Sequence, residues 1–381
     1  MSAELHGVAL LGAGIFARQS HLPAIVAADA FKLLAIYSRS HKSAQELADA
    51  SKQHNKLANG VDTYADDPQT NGGLDALLAR DDVKTVILAL PIMVQPSIIE
   101  RAFKAGKNVI SEKPVAPTVE AARKLVELYE TEYKPKGLTW IIAEQFPYSP
   151  LLNKAREAIQ AGKIGTPHSF DFTAFNYIAP QSQYHATSWR TKPEHQGGFI
   201  LDGGVHFTAG LRHVLPHPIT KVIANTALVS EHLPPVDTCN ALFETSEATL
   251  KGTMTLSVGV SGAQRAAYTI RGTKGTLEAS FAGKITIHSL PEGKQHMSLG
   301  VRPDETVIEA PFPAVNQEFE AFSEALSEGV DSESWKLVQQ RSGPRATLRD
   351  LAVIEAALTS GDRQGEKIDV KQLIGDALWD I

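Results

Sequence analysis

The chain has 381 residues, which is too long for one compact core and predicts about two domains, because a domain usually holds roughly 100–200 residues. Hydrophobic residues make up 43% and charged residues 21% of the chain, a balance that excludes intrinsic disorder. The net charge of −6 and the lack of a long basic run argue against a nucleic-acid partner. The single cysteine, Cys239, excludes an intramolecular disulfide and a cysteine-based zinc site.

Short apolar runs alternate with helical patterns over the first part of the chain. The predicted strands are residues 7–11, 31–38, 85–90, 108–111 and 139–146. The predicted helices are residues 14–28, 41–54, 74–79, 95–105 and 118–132, the last with Thr118 as its N-cap. Strands that are separated by helices form parallel sheets with both faces covered, so this part predicts an α/β fold with a doubly wound parallel sheet.

The pattern changes after Pro147, where strand-like runs follow one another with few helices between them. These runs are residues 169–177, 220–228, 240–243, 248–258, 266–271 and 276–287. Helices are predicted at residues 149–161, 202–215, 315–326 and 346–359, and a surface loop at residues 287–313. The sequence therefore predicts an α/β domain over residues 1–146 and an α+β domain with a mostly antiparallel sheet over residues 147–381.

Membrane segments and targeting signals are not expected from the sequence. The longest apolar stretch, residues 86–94, is less than half of the roughly twenty residues that cross a bilayer. Residues 1–6 lack the basic and apolar segments of a secretory signal. We expect a cytoplasmic protein with no membrane partner.

A glycine-rich motif, Gly12-Ala13-Gly14-Ile15-Phe16-Ala17, follows the first predicted strand and opens a helix. This is the G-x-G-x-x-A form of the dinucleotide fingerprint, in which the first glycine permits the tight turn and the second lets a pyrophosphate approach the backbone. An ordinary strand-to-helix turn is the alternative. The context of the motif favours a nucleotide site that includes residues 12–16, so residues 1–146 are predicted to be a dinucleotide-binding domain.

The end of the second predicted strand bears on the choice between NAD and NADP. An NAD site usually has an acid about twenty residues after the glycines, but residues 37–42 contain no carboxylate. Ser38, Arg39 and Lys42 instead offer hydrogen bonds and positive charge to a 2′-phosphate. The sequence thus favours NADP (NADPH) over NAD, the alternative being that Arg39 is a solvated surface residue.

Two further motifs carry candidate catalytic groups. Glu112-Lys113-Pro114 lies at the carboxyl end of a predicted strand, where ligands bind in open α/β sheets, although a surface lysine in a turn would look the same. Asp202 and His206 are four residues apart on a predicted helix and therefore share a face. The alternatives are that Asp202 is the N-cap of this helix and that His206 is a core histidine whose hydrogen bonds are satisfied within the protein. The histidine spacings near this helix match no zinc pattern, so no metal is expected.

Taken together, the motifs resemble the glucose–fructose oxidoreductase / inositol dehydrogenase / rhizopine catabolism (Gfo/Idh/MocA) family over nearly the whole chain, and most closely an NADP-using, fungal-type branch. The matching segments are residues 12–17, Ala89-Leu90-Pro91, Glu112-Lys113-Pro114, Ala143-Glu144-Gln145, Trp189-Arg190 and residues 197–206. The resemblance implies a Rossmann domain and a second domain whose open sheet joins chains into homodimers or homotetramers. It also implies hydride transfer between a nicotinamide cofactor and a sugar, polyol or related carbonyl compound.

Site residues follow from the same resemblance. Lys113, Asp202 and His206 fall on the catalytic positions of the family. The implied cofactor-binding residues are Gly12, Ala13, Gly14, Ile15, Phe16, Ser38, Arg39, Lys42, Leu90, Pro91, Gln95, Glu112, Lys113, Gln145, Trp189 and Arg190. Ile92, Gln95 and Pro147 depart from residues that members often carry, so the substrate stays open.

In the mechanistic hypothesis, Lys113 and His206 handle the proton and Asp202 has an orienting role. His206 acts as general base in oxidation, because an imidazole changes charge near neutral pH, and either His206 or Lys113 delivers the proton in reduction. Lys113 stabilises the developing alkoxide, and Asp202 orients Lys113 or the substrate and favours protonated His206. Two alternatives stay open: a regulatory sensor that binds NAD(P) without turnover, and a reductase of dihydrodiols or of small aldehydes and ketones.

Overall fold

A computed structural model describes residues 5–54, 60–67, 72–262, 264–291 and 302–380, and it contains two sheets. The first sheet consists of six strands: β1 (His6–Leu11), β2 (Phe31–Ser38), β3 (Asp62–Ala65), β4 (Thr85–Leu88), β5 (Asn108–Glu112) and β6 (Trp140–Ala143). All of its neighbouring strands are parallel, in the order β3-β2-β1-β4-β5-β6. This order confirms the predicted doubly wound Rossmann sheet.

The helices of the first part cover the sheet. They are α1 (Leu22–Ala27), α2 (His41–Ser51), α3 (Leu74–Leu78), α4 (Gln95–Lys104) and α5 (Val119–Leu128). Thr118 caps α5 as predicted, because its hydroxyl accepts the Ala121 N–H at 3.1 Å. The helix predicted at residues 14–28 contains a π-helical segment, Ala17–His21. Strand β3 was not predicted, because it is a four-residue edge strand with a polar start.

The second sheet has nine strands and confirms the predicted, mostly antiparallel architecture. Its strands are β7 (Pro167–Phe175), β8 (Ile219–Ala227), β9 (Thr238–Thr245), β10 (Lys251–Ser257), β11 (Arg265–Gly272), β12 (Gly275–Ser280), β13 (Lys284–Ser289), β14 (Asp304–Glu309) and β15 (Ile368–Asp369). They lie in the order β14-β13-β12-β11-β7-β10-β9-β8-β15, with only the β7–β10 pair parallel. Side chains alternate along β7, where Phe170, Phe172 and Ala174 are buried on the inner face.

Two predictions in this region were wrong. Residues 276–287 do not form one strand but the β12–β13 hairpin, because the chain turns at Gly283, whose φ is +92°. The surface loop predicted at residues 287–313 contains β14, and residues 292–301 of that prediction lie outside the described part of the chain.

The remaining helices pack on both sheets. They are α6 (Pro150–Gln160), α7 (Ser188–Thr191), α8 (Gly198–Val214), α9 (Val315–Glu328), α10 (Glu333–Ser342), α11 (Pro344–Asp362), α12 (Val370–Ile374) and α13 (Asp376–Trp379). Helix α8 packs against α11 next to the inner face of the second sheet, whereas Phe319 and Phe322 of α9 share a core with strands β1 and β2. The chain thus returns to the first sheet after building the second. The domain boundary after residue 146 stays a prediction. None of the described helices combines the length and the apolar composition that a bilayer span requires.

Candidate active site

A cleft of about 1020 Å³ lies between the carboxyl ends of β1, β4 and β5 and the inner side of α8. It begins at the point where the strand order reverses between β1 and β4, which is where ligands bind in doubly wound sheets. Most of the predicted site residues line it: Gly12, Ala13, Gly14, Ile15, Phe16, Ser38, Arg39, Leu90, Pro91, Glu112, Lys113, Gln145, Trp189, Arg190, Asp202 and His206.

Two predicted residues do not reach the lining of the cleft. Lys42 is exposed on the first turn of α2. Gln95 is buried at the start of α4, where neither polar atom of its side chain has a hydrogen-bond partner. The family resemblance suggested a role for Gln95 in cofactor binding, but burial of its side chain separates it from the open part of the site.

The glycine loop has the shape that a pyrophosphate needs. Gly12 has a φ of +114°, and a Cβ at this position would lie 2.3 Å from the Ala89 carbonyl oxygen, so the β1 and β4 loops approach too closely for any side chain. A Cβ at Gly14 would meet no protein atom within 4 Å, and Gly14 lines the cleft. The space next to Gly14 is therefore available to a ligand, and the loop fits a dinucleotide.

Acidic residues near the end of β2 come from the loop after β3, not from β2 itself. The Tyr37 hydroxyl donates to Asp66 at 2.7 Å, and the His41 N–H donates to Asp67 at 2.7 Å. Arg39 is exposed at the mouth of the cleft beside half-buried Ser38. Asp66 thus accepts a hydrogen bond from β2 and Asp67 accepts one from the start of α2, while Arg39 lines the cleft.

Lys113, Asp202 and Arg190 form a buried ionic cluster at the centre of the cleft. The Lys113 Nζ donates to the Asp202 Oδ1 at 2.9 Å and to the Asp202 carbonyl oxygen at 2.7 Å. The Arg190 Nε donates to the Asp202 Oδ2 at 2.8 Å, and its guanidinium lies 3.9 Å from the Trp189 ring centroid. Burial opposes ionisation of Asp202, but the two cations outweigh it and hold the pKa of this carboxyl well below its usual value.

His206 is held by a carboxylate that the sequence analysis had not assigned to it. The His206 Nδ1 lies 2.8 and 2.9 Å from the two carboxylate oxygens of Glu144, which is only 1% exposed. The imidazole also stacks on Phe146, with 4.9 Å between ring centroids and 10° between planes. Burial disfavours the charge of Glu144, yet the His206 charge and the hydrogen bonds that Glu144 accepts lower its pKa. With Nδ1 engaged, Nε2 is the nitrogen left for exchange with a ligand.

Glu112 supports the loop that carries Lys113. One carboxylate oxygen lies 2.6 Å from the Nε2 of the fully buried His21, and the other accepts the Lys113 N–H at 3.2 Å. The Lys113–Pro114 peptide bond is cis. Nothing in the local sequence identified His21, which is 91 residues away from Glu112 along the chain.

The interpretation of Asp202 as a helix N-cap was wrong. Helix α8 begins at Gly198, so Asp202 lies in its second turn. The earlier start requires glycine, because Gly198 has a φ of +50° and a Cβ there would lie 2.6 Å from the Pro234 carbonyl oxygen. Within the described residues, no group of three or more histidine, cysteine or acidic side chains is arranged to hold a metal ion.

Comparisons with known proteins agree with this geometry. Residues 6–135 match the family described as oxidoreductase, NAD-binding Rossmann fold, and residues 152–278 match the GFO/IDH/MocA C-terminal domain. Dehydrogenase FPY6 of Fusarium mangiferae is 36% identical over 371 residues, which cover 96% of this chain and 99% of that protein.

Solved structures share the fold. An oxidoreductase from Thermotoga maritima is 30% identical with a TM-score of 0.80, covering 97% of this chain and 100% of that one. KijD10, a 3-ketoreductase from Actinomadura kijaniata in complex with TDP-benzene and NADP, has a TM-score of 0.70 at 22% identity and covers 94% of this chain and 98% of its own. At that identity the second likeness concerns the fold alone.

Proposed function

Because this chain belongs to the GFO/IDH/MocA family of oxidoreductases, we propose that it is an NADP(H)-dependent enzyme that interconverts the hydroxyl and carbonyl groups of a sugar, polyol or related small molecule. One observation carries this proposal. The cleft that begins at the glycine loop also contains the Lys113–Asp202 pair and the His206–Glu144 pair. A dinucleotide cradle and proton-handling groups therefore share one cavity, as hydride transfer requires.

The residues of the cleft have separable roles in this reaction. A bound nicotinamide coenzyme supplies or accepts the hydride. The Lys113 ammonium has three N–H donors, of which two point to Asp202, so one remains for the substrate oxygen. That donor stabilises negative charge on the oxygen, while the His206 Nε2 takes or gives the proton. Glu144 supports the charged form of His206, and Asp202 positions Lys113.

The preference for NADP rests on charge at the mouth of the cleft. Arg39 provides a guanidinium for a 2′-phosphate, while Asp66 accepts a hydrogen bond from Tyr37 on β2 and Asp67 accepts one from the first residue of α2. Fluorescence titration of the purified protein should give a dissociation constant for NADPH that is at least tenfold lower than for NADH; equal values would remove the NADP proposal.

Turnover tests the enzyme proposal directly. The purified protein is mixed with NADPH and a panel of aldehydes, ketones and sugars, and oxidation is followed by absorbance at the nicotinamide band. We expect the Lys113→Met variant to lose about 100-fold or more in turnover, because it lacks the aligned donor, while it still binds NADPH. NADPH binding without turnover of any carbonyl compound would instead favour the sensor function.

Assembly and location are further parts of the proposal. Leu242 on β9 and Val307 on β14 are 55% and 45% exposed on the second sheet. We propose that homodimers or homotetramers form through the outer face of the second sheet, and that the protein is cytoplasmic. Light scattering should give a mass of two or four chains, and a mass of one chain would contradict the proposed assembly. Cell fractionation should place the protein in the cytosol, and its recovery in a membrane or organelle fraction would contradict the proposed location.

A further inference from the structure

We infer that the substrate carries a flat apolar ring next to its reactive carbon, as in an aryl aldehyde, an aryl ketone or the corresponding alcohol. This inference rests on the proposed oxidoreductase function, and it places the substrate among aryl aldehydes, ketones and alcohols instead of sugars and polyols. It comes from the part of the cleft beyond the catalytic groups, whose lining is formed by aromatic side chains.

Four phenylalanines from four separate elements meet beside His206, and we call them the aromatic wall: Phe146 after β6, Phe207 on α8, Phe281 in the β12–β13 turn and Phe312 before α9. Phe281 and Phe312 stack with 4.1 Å between centroids and 14° between planes. Both meet Phe146 edge to face, at 5.6 and 4.9 Å. The two edge-to-face pairs have a geometry that is favourable for aromatic rings, so the wall is a defined surface.

The aromatic wall begins at the catalytic imidazole. Phe146 stacks on the ring of His206, and Phe207 follows His206 directly on the same helix. Phe207, Phe281 and Phe312 are half-buried, so part of each ring faces the cleft. A substrate whose oxygen meets Lys113 and His206 therefore has its remaining atoms near these rings.

The charged groups at the centre of the cleft are paired with one another, Asp202 with Lys113 and Arg190, and Glu144 with His206. Uncharged polar side chains also line the cleft, among them the half-buried Gln145, Tyr184, Thr187 and Ser280. Asn176, Gln264 and Arg265 are exposed at its rim. The aromatic wall itself offers a substrate ring faces and no hydrogen-bonding side chain.

The consequence differs for the two substrate classes. A polyhydroxylated chain would bring hydroxyl groups against ring faces that cannot replace their hydrogen bonds to water, which is unfavourable. A planar apolar ring loses no hydrogen bonds there and stacks on the phenylalanines. The aromatic wall therefore selects for an aryl group.

A matched pair of aldehydes tests the inference. Benzaldehyde and glyceraldehyde present the same reactive group with an aryl or a hydroxylated remainder, and reduction of either adds hydride to carbon and a proton to oxygen, consuming one NADPH per alcohol formed. We expect kcat/KM to be about 10- to 100-fold higher for benzaldehyde, the range that apolar pocket contacts give. A higher value for glyceraldehyde would overturn the inference and leave the proposed function standing.

Two variants show whether the aromatic wall is responsible. Phe281→Leu keeps an apolar side chain but removes one ring, and it should lower kcat/KM for benzaldehyde by about 2- to 10-fold and leave glyceraldehyde unaffected. Phe170→Leu removes a buried ring of the same sheet that does not line the cleft, so it should leave the ratio of the two substrates unchanged. An unchanged ratio in folded Phe281→Leu, checked by melting temperature and NADPH affinity, would overturn the role of the aromatic wall.

Binding separates this inference from the proposed function. Benzamide is an aryl carbonyl compound that is not reduced, whereas erythritol is a polyol of similar size. In the presence of NADP, benzamide should raise the melting temperature of the protein more than erythritol does. A larger rise with benzamide, together with no turnover of any aldehyde, would refute the proposed function yet support an aryl ligand. A larger rise in melting temperature with erythritol would overturn the inference.

Discussion

Replacing Glu144 by glutamine tests how the cleft controls the catalytic proton. The substitution keeps the size of the side chain and an oxygen for the Phe146 N–H, but it removes the negative charge that lies 2.8 Å from the His206 Nδ1. Glu144 is 1% exposed, so solvent does not screen this pair. The protonated imidazole therefore loses its buried counter-charge.

The magnitude follows from the kind of hydrogen bond that is lost. A hydrogen bond to a charged group contributes about 1.5–3 kcal/mol, against about 1 kcal/mol for a neutral pair. The difference of about 0.5–2 kcal/mol corresponds to a factor of roughly 2–30 in rate. We expect kcat for carbonyl reduction to fall by this factor, with KM nearly unchanged because Glu144 lies behind His206.

Steady-state kinetics measure kcat and KM, and two further variants serve as controls. Glu144→Asp keeps the charge and should restore part of the rate. Glu318 is a second buried glutamate, whose pKa is raised well above its usual value by burial and by the charges of Glu112 and Glu144. It does not line the cleft, so Glu318→Gln should leave kcat unchanged. Wild-type kcat in folded Glu144→Gln would refute the role of Glu144.

Three other predictions concern the nucleotide and the ionic cluster. Arg39→Asp should weaken NADPH binding by about tenfold and NADH binding much less, and this difference between the two nucleotides should shrink at high salt. Equal losses of affinity for both nucleotides in fluorescence titrations would exclude a contact with the 2′-phosphate. Gly14→Ala should keep the melting temperature but lose at least tenfold in NADPH affinity, because its Cβ meets only the cleft. Gly12→Ala, in contrast, should lower the free energy of unfolding by about 1–3 kcal/mol. Tight NADPH binding by folded Gly14→Ala would contradict a pyrophosphate beside Gly14. Asp202→Asn should lower the free energy of unfolding at pH 7 by about 3–5 kcal/mol, because it leaves two cations without their carboxylate. Since the pKa of Asp202 is lowered in the folded state, its contribution to the free energy of unfolding is present above about pH 4 and is lost as the pH falls further. In urea unfolding, the stabilities of the wild-type protein and Asp202→Asn should therefore converge below about pH 4. A difference in stability that does not change with pH would contradict this.

Local sequence patterns predicted the Rossmann half of the protein well. Strand β2 was predicted with the bounds that the structure has, because Phe31–Ser38 is a continuous β-rich apolar run between turn signals. The spacing of Asp202 and His206 on one helix, and the position of Lys113 after β5, are also local properties, and the structure brings all three to one cleft.

Longer segments of the second domain were harder to predict. The β12–β13 hairpin was interpreted as one strand, because its turn at Gly283 interrupts an alternating pattern for only a few residues. Helix α10 was missed because its residues are mostly polar, although Ser332 caps its start.

The sequence by itself determined the kind of sheet, the glycine loop and three of the groups in the cleft, because each depends on residues within one turn or one strand. Tertiary structure alone decided which groups meet: Glu144 is 62 residues from His206, and His21 is 91 residues from Glu112. Such pairs depend on how β-strands and helices are ordered and aligned in space, and periodicity within a short window carries no information on that order. The aromatic wall has the same origin, since its four rings come from elements that only the packing of the two sheets brings together.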